Sequence, residues 1–85
     1  MNLRQQKRRL ARVFAHEVFQ ARSRLEWTQQ AVASRVFVSL RWYQKIEKGD
    51  VLPSFFVGIC LMWFLGITPE ILVGEEVGDV SVSAR

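Results

Sequence analysis

Residues 28–54, "TQQAVASRVFVSLRWYQKIEKGDVLPS", decide the fold of this 85-residue chain. Thr28 and Ser39 are residue types that cap helix N-termini, and each precedes a short segment with apolar residues at helical spacing. Gly49 suits the left-handed conformation that ends a helix, and Ser54 can cap the next one. The stretch therefore predicts two short helices joined by a tight turn and followed closely by a third.

Helices are also predicted on both sides of this stretch. The first segment, residues 3–24, is predicted to be a long amphipathic helix, with one apolar stripe that consists of Leu10, Phe14, Val18, Ala21 and Leu25. After the helix at residues 54–65, Thr68 and Pro69 begin a last short one. No strand is predicted before Val80, where "VSVS" is compatible with an edge strand or with disorder. The predicted fold class is all-α, a compact bundle of about five helices in one domain.

The stretch resembles the Cro/repressor-type (Xre-like) helix-turn-helix family. The matching elements are Thr28-Gln29, Ala33, Val38-Ser39, "KIEKG" at residues 45–49, Pro53-Ser54, and "LGITPEIL" at residues 65–72. The resemblance covers residues 14–72 and implies a lambda-repressor-like DNA-binding domain. Residues 1–13 are then a basic N-terminal extension, helical or mobile, and residues 73–85 a C-terminal tail, a short strand or disordered.

One position departs from the family pattern. The family usually has glycine in the turn where this chain has Phe37. Glycine is favoured there because the turn takes a positive φ, which costs a bulky residue about 1 kcal/mol or more. We expect either that the turn is reshaped or that Phe37 gains packing that offsets the strain.

The charges are divided unequally along the chain. Residues 1–49 hold eleven Lys or Arg against three Glu, a net charge of +8, whereas residues 50–85 hold one Arg against five acids, a net charge of −4. A basic half of this kind favours a polyanionic partner, although a solvated basic face gives the same pattern.

The residue types argue against several other classes of protein. The single His16 and the single Cys60 cannot form a metal cluster, no glycine-rich phosphate loop follows a strand, and the carboxylates are scattered. We predict neither an enzyme nor a cofactor. The longest apolar run, residues 55–67, has 13 residues, whereas a membrane span needs about 20. The sequence therefore predicts no membrane association and a cytoplasmic location.

The resemblance implies that the third helix reads the major groove of double-stranded DNA. Tyr43 and Ile46 face inward at helical spacing, which leaves a mixed cationic and amide surface outside. Arg41 is expected to read guanine because its planar fork matches O6 and N7, and Leu40 to touch a thymine methyl. The predicted base-reading residues are Leu40, Arg41 and Lys45, and the predicted backbone contacts are Gln29, Ser39, Trp42, Gln44 and Lys48.

Three assignments have alternatives or a structural role. Trp42 either flanks the sugar-phosphate backbone or packs against the second helix. Gln29 either offers its amide to a phosphate or is simply solvated. Arg22 and Glu47 correspond to positions that often form an ion pair in the family, and we expect a largely buried pair that joins the first and third helices.

The helix at residues 54–65 is apolar all round, which a domain of this size cannot bury alone. Helical spacing assigns Phe55, Gly58, Ile59, Met62 and Leu65 to the core. The opposite side then forms a homodimer interface that consists of Phe56, Val57, Cys60, Trp63 and Phe64. Coverage of that side by the N-terminal extension or the tail is the alternative.

Two functions follow from this sequence. The first is a dimeric DNA-binding transcriptional regulator, a repressor or autoregulator that reads an inverted repeat. The alternative is a protein-interaction module on the same fold, an antitoxin or anti-regulator that uses the apolar helix against another protein.

Overall fold

The computed structural model describes residues 2–70, and in that part of the chain the fold is all-helical, with four α-helices and no strand. The helices are α1 (Leu3–Arg24), α2 (Gln29–Arg35), α3 (Leu40–Lys48) and α4 (Phe55–Leu65). The count is four rather than about five. The fifth helix predicted from Thr68 and the tail predicted for residues 73–85 lie largely or wholly outside the described residues.

Local chemistry sets the helix boundaries. The side chains of Thr28, Ser39 and Ser54 each accept a hydrogen bond from a backbone N–H in the first turn of the helix that they precede. Gly49 and Gly66 end α3 and α4 with φ of 82° and 72°. These polar and glycine positions define the three shorter helices before any packing is considered.

α1 continues without a break across residue 13, where the sequence placed the end of a basic extension. Asn2 and Gln5 form a reciprocal capping box that satisfies backbone groups at its N-terminus. Small and apolar side chains bury one side of the helix from Ala11 onward. Residues 3–13, which make up most of the extension predicted at residues 1–13, are part of this helix.

The core lies where α1 packs on α3 and α4, and α2 packs on α3. Tyr43 and Ile46 of α3 are fully buried, as are Val32 and Ala33 of α2. The buried cluster consists of Phe14, Val18, Ala21, Val32, Ala33, Val36, Tyr43, Ile46, Leu61, Leu65 and Ile67. Burial of this cluster fixes α3 with its opposite side directed outward.

The predicted core face of α4 is wrong in part. Phe55 is 85% exposed and Ile59 is 44% exposed, whereas Leu61, which was not assigned to the core, is fully buried beside Leu65. The reason is that every side of α4 is apolar, so its periodicity carries no direction. The neighbouring helices, rather than the sequence pattern of α4, select the side that is buried.

Candidate functional site

The outward side of α3 carries three cations and one aromatic ring. Arg41, Lys45 and Lys48 are exposed, and the Lys45 ammonium lies 5.9 Å from the centre of the Trp42 ring. Trp42 is 39% exposed, and Leu40 is half-buried at the start of the helix. The predicted base-reading residues are therefore adjacent on one helix, with two exposed charges and an apolar group among them.

Glu47, the single carboxylate of α3, is directed inward and organises a polar network. It accepts hydrogen bonds of 2.8 Å from both Nε and Nη2 of Arg22, one of 3.0 Å from Gln29 Nε2, and one from the Tyr43 hydroxyl. Arg22 also donates to the carbonyl of Trp27 at 2.9 Å. Glu47 thus ties α1 and the first residue of α2 to α3, and Arg22 joins the loop after α1 to the same network.

The network alters the acidity of its members. Burial alone would raise the pKa of Glu47, but the hydrogen bonds from Arg22, Tyr43 and Gln29 outweigh it and hold the pKa below its usual value. The hydrogen bond with Glu47 raises the pKa of Arg22. Burial and the neighbouring carboxylate also raise the pKa of the Tyr43 hydroxyl. Glu47 is therefore an anion in the folded protein at neutral pH.

The amide of Gln29 is engaged within the protein. Besides its bond to Glu47, its Oε1 accepts a hydrogen bond of 3.2 Å from Gln44 Nε2. Gln29, Gln44, Glu47 and Lys48 line a shallow depression of about 400 Å³ together with Phe19 of α1. Two residues predicted as backbone contacts thus bond to each other, and Lys48 lies beside them.

Phe19 is a residue of this surface that the sequence reading did not single out. It is 48% exposed, and the Arg22 guanidinium lies 5.7 Å from the centre of its ring. Phe14 marks the buried side of α1, and five residues later a helix has turned about 140° away from that side. This angle between Phe14 and Phe19 indicates, from the sequence alone, that Phe19 lies outside the core.

The turn between α2 and α3 keeps the left-handed conformation despite its phenylalanine. Phe37 has φ of 62° and is 79% exposed. The turn therefore keeps its positive φ, and the Phe37 side chain is largely exposed among residues 2–70. Of the two expected alternatives, the reshaped turn is not found, and the offsetting packing is not found among residues 2–70.

The N-terminal half of α1 extends the positive charge beyond α3. Residues 4–12 hold five cations and no acid, and all five side chains are exposed. The two helices meet at Gly49, where an added Cβ would lie 3.4 Å from Arg12 Cα. Arg12 therefore lies beside the C-terminal end of α3, and the other four cations precede it along α1. These five residues are Arg4, Lys7, Arg8, Arg9 and Arg12.

The predicted dimer interface of α4 is divided between exposed and packed side chains. Trp63 is 85% exposed and Phe56 is 62% exposed. Phe64 is half-buried and packs edge-on against Trp27, with ring centres 5.0 Å apart. Val57 and Cys60 are half-buried and also pack against the core. The exposed side of α4 instead consists of Phe55, Phe56, Ile59 and Trp63.

A groove continues the exposed side of α4 toward α1. It has a volume of about 370 Å³, and its wall is almost entirely apolar. Leu10 and Phe14 contribute from α1, and Leu52, Phe55, Gly58, Ile59 and Met62 contribute from α4 and the segment before it. The apolar surface is therefore larger than α4 alone would provide.

Among residues 2–70, no three His, Cys, Asp or Glu residues are grouped as metal ligands would be. Cys60 is a free thiol. Within the same residues, no helix is both long enough and apolar enough to cross a membrane.

Comparisons with protein-family models, with curated proteins and with solved structures find no match to this chain.

Proposed function

We propose that this protein is a sequence-specific DNA-binding regulator whose helices α2 and α3 form a helix-turn-helix. The observation that carries the proposal is the outward side of α3, where Arg41, Lys45 and Lys48 are exposed while Glu47 is directed inward. The inward direction of Glu47 removes the one negative charge of the helix from the surface that would meet phosphates. A cationic helix of this kind suits the negatively charged major groove.

The polar network supports the proposal because a recognition helix needs a fixed orientation. Glu47 holds α3 to α1 through Arg22 and to the start of α2 through Gln29. Rigid support of this kind keeps contacting side chains within the small tolerances that base recognition requires. The network therefore supports α3 from beneath and leaves Arg41 and Lys45 outside it, while Gln29, and Gln44 through Gln29, belong to it.

Individual roles follow from the position along α3. Arg41, in the first turn, reads guanine, with Leu40 against a thymine methyl and Lys45 one turn further on. The side chain of Ser39 caps α3 by accepting a hydrogen bond from the Trp42 N–H. Ser39 and Trp42 are the proposed contacts to the DNA backbone at the start of this helix. Gln29, Gln44 and Lys48 line one depression and together position the phosphate backbone.

The basic half of α1 adds affinity without adding specificity. Its exposed cations continue from the end of α3, where Arg12 meets Gly49. Long cationic side chains of this kind contact phosphates and make binding sensitive to salt. Binding to random DNA is expected to depend on them as strongly as binding to the preferred site.

A homodimer through α4 completes the proposal. Its interface is the exposed side of α4, which consists of Phe55, Phe56, Ile59 and Trp63. At 100° per residue these side chains span an arc of about 100° around the helix axis. The centre of this arc lies about 90° from the centre of the interface that the sequence indicated. With Leu52, these side chains expose roughly 600 Å² on each chain, given the areas typical of such side chains. Two copies would bury roughly 1,200 Å², which exceeds the approximately 1,000 Å² expected of a specific interface.

A dimer determines the form of the DNA site. A two-fold axis presents two copies of α3, and one turn of B-DNA separates equivalent positions by about 34 Å. The site is then an inverted repeat. Binding of such a site within a promoter would block transcription, so a repressor or autoregulator is the role that we propose.

The exposed apolar surface of α4 also favours a second function. A protein-interaction module, an antitoxin or anti-regulator, would use the same surface to bind a different protein, with α3 left unused. The two proposals differ in what the α3 cations do. Only the DNA-binding regulator loses its main interaction when these charges are removed.

Binding of a fluorescent random-sequence duplex at two salt concentrations separates the two functions. The unmutated protein is expected to bind, and Lys48→Gln, which removes a proposed phosphate contact of α3, to bind more weakly with a shallower dependence on salt. Arg24→Gln, which removes an exposed cation from the other end of α1, is the matched control and should bind as the unmutated protein does. Absence of salt-sensitive binding would refute the DNA proposal and favour the interaction module.

A further inference from the structure

Phe37 combines two unfavourable features that nothing in the described fold offsets. Its φ of 62° is a conformation that a bulky residue adopts at a cost. Its ring is also 79% exposed to water. Glu26 has a similar φ of 59°, but its side chain is polar and suits an exposed position. Phe37 is thus the position among residues 2–70 where left-handed strain and an exposed aromatic ring coincide.

The location of Phe37 indicates what the ring could meet. It lies two residues before Ser39, the N-cap of α3. No Asp or Glu occurs from Trp27 to Ile46, whereas Arg35, Arg41 and Lys45 do. A stretch of chain that holds cations and no acid on both sides of an exposed ring fits a polyanion that also offers apolar patches. The sugar-phosphate backbone of DNA has both properties, because its deoxyribose rings lie between its phosphates.

Distance makes such a contact feasible. Three Cα steps of 3.8 Å separate Phe37 from Leu40, so the two Cα atoms are at most about 11 Å apart. The major groove is about 12 Å wide. If the first turn of α3 lies against base edges, Phe37 is therefore close enough to that turn for its ring to reach the backbone at the wall of the groove.

We propose that Phe37 packs on the deoxyribose rings of the backbone that borders the groove occupied by α3. This inference rests on the proposed function. Strained residues persist where a function uses them, and the contact removes the ring from water when DNA is bound. Because the sugars are the same at every base pair, Phe37 contributes affinity and not specificity.

The test uses two substitutions in the full chain. Phe37→Gly relieves the left-handed strain and removes the ring, so the melting temperature is expected to rise by about 2–6 °C. Affinity for DNA is expected to fall about tenfold, on random and preferred duplexes alike, which corresponds to losing the burial of a large part of one aromatic ring. Phe37→Tyr keeps the ring and the strain, and should leave both quantities close to those of the unmutated protein.

The outcomes separate this inference from the proposed function. If the unmutated protein binds DNA and Phe37→Gly binds equally well, the contact with the backbone is refuted and the DNA-binding function stands. A loss confined to the preferred duplex would make Phe37 a base-reading residue and also refute the contact with sugars. A change in oligomeric mass on Phe37→Gly would assign the ring to a protein interface instead. If the unmutated protein binds no duplex, both proposals fail.

Discussion

Arg22 on α1 and Glu47 on α3 are joined by two hydrogen bonds of 2.8 Å, one from Nε and one from Nη2, each to a different carboxylate oxygen. The side chains are 15% and 6% exposed. A planar guanidinium that binds a carboxylate through two donors fixes both distance and angle. The orientation of α3, and therefore of its outward cations, depends on this pair.

Arg22→Met is expected to destabilise the fold by about 3–5 kcal/mol, because it leaves Glu47 buried without its cation. Chemical denaturation measures the change. Arg24→Met, two residues along α1 and exposed, is the matched control and should change stability by less than about 0.5 kcal/mol. Unchanged stability of Arg22→Met, with reduced DNA affinity, would make Arg22 a phosphate contact rather than a structural partner.

Glu47 gives the pair a pH dependence of defined sign. Its pKa is lowered in the folded protein, so its contribution is fully present above the unfolded pKa, which is about 4.3, and is lost as the pH falls through the folded pKa. Glu47→Gln imitates the protonated form. The stability difference between the unmutated protein and Glu47→Gln should therefore be large at pH 7 and should shrink as the pH falls below about 4.

Denaturation of both proteins across pH 3–7 checks this prediction. A difference that stays constant over the whole range would mean that the charge of Glu47 does not stabilise the fold.

Trp63→Glu is expected to convert a dimer into a folded monomer. Trp63 is 85% exposed, so the substitution should leave the helical circular dichroism unchanged while placing a charge within the proposed interface. Light scattering at micromolar concentration measures the mass. Phe64→Ala is the matched comparison: its half-buried ring packs on Trp27, so its loss should lower stability by about 1–3 kcal/mol.

A monomeric mass for the unmutated protein at the same concentration would contradict the dimer. Dissociation caused by Phe64→Ala without loss of stability would instead place the interface where the sequence indicated it.

Substitution of Arg41 and substitution of Lys48 are expected to change DNA affinity in different ways. Arg41→Ala should cost about 1–3 kcal/mol on the preferred site and relax selection at one base pair. Lys48→Ala should weaken binding to all sequences alike and reduce the salt slope by about one. Anisotropy titrations with specific and random duplexes compare the two. Equal losses on both duplexes for Arg41→Ala would remove it as a base reader.

Local chemistry determined how much of this fold could be predicted. The caps at Thr28, Ser39 and Ser54 and the glycine at Gly49 act within a few residues, so the sequence alone indicates where the helices begin and end. The helical spacing of the apolar residues in α3 likewise indicates that Tyr43 and Ile46 are buried.

The remaining features depend on contacts between distant segments. No polar residue marks a side of α4, so its sequence could not indicate that Leu61 is buried and Phe55 is exposed. The engagement of Gln29 with Glu47 and Gln44 depends on where α1 and α3 place their side chains. The exposure of Phe37 depends on what surrounds the turn, which no pattern within the turn describes.

Selection of bound fragments from a random pool of duplex DNA tests the central claim most directly. The account predicts enrichment of an inverted repeat whose half-sites are centred about 10 base pairs apart. It also predicts that Arg41→Ala enriches the same repeat with one position relaxed. Recovery of no preferred sequence, together with binding that does not weaken as salt is raised, would contradict the account.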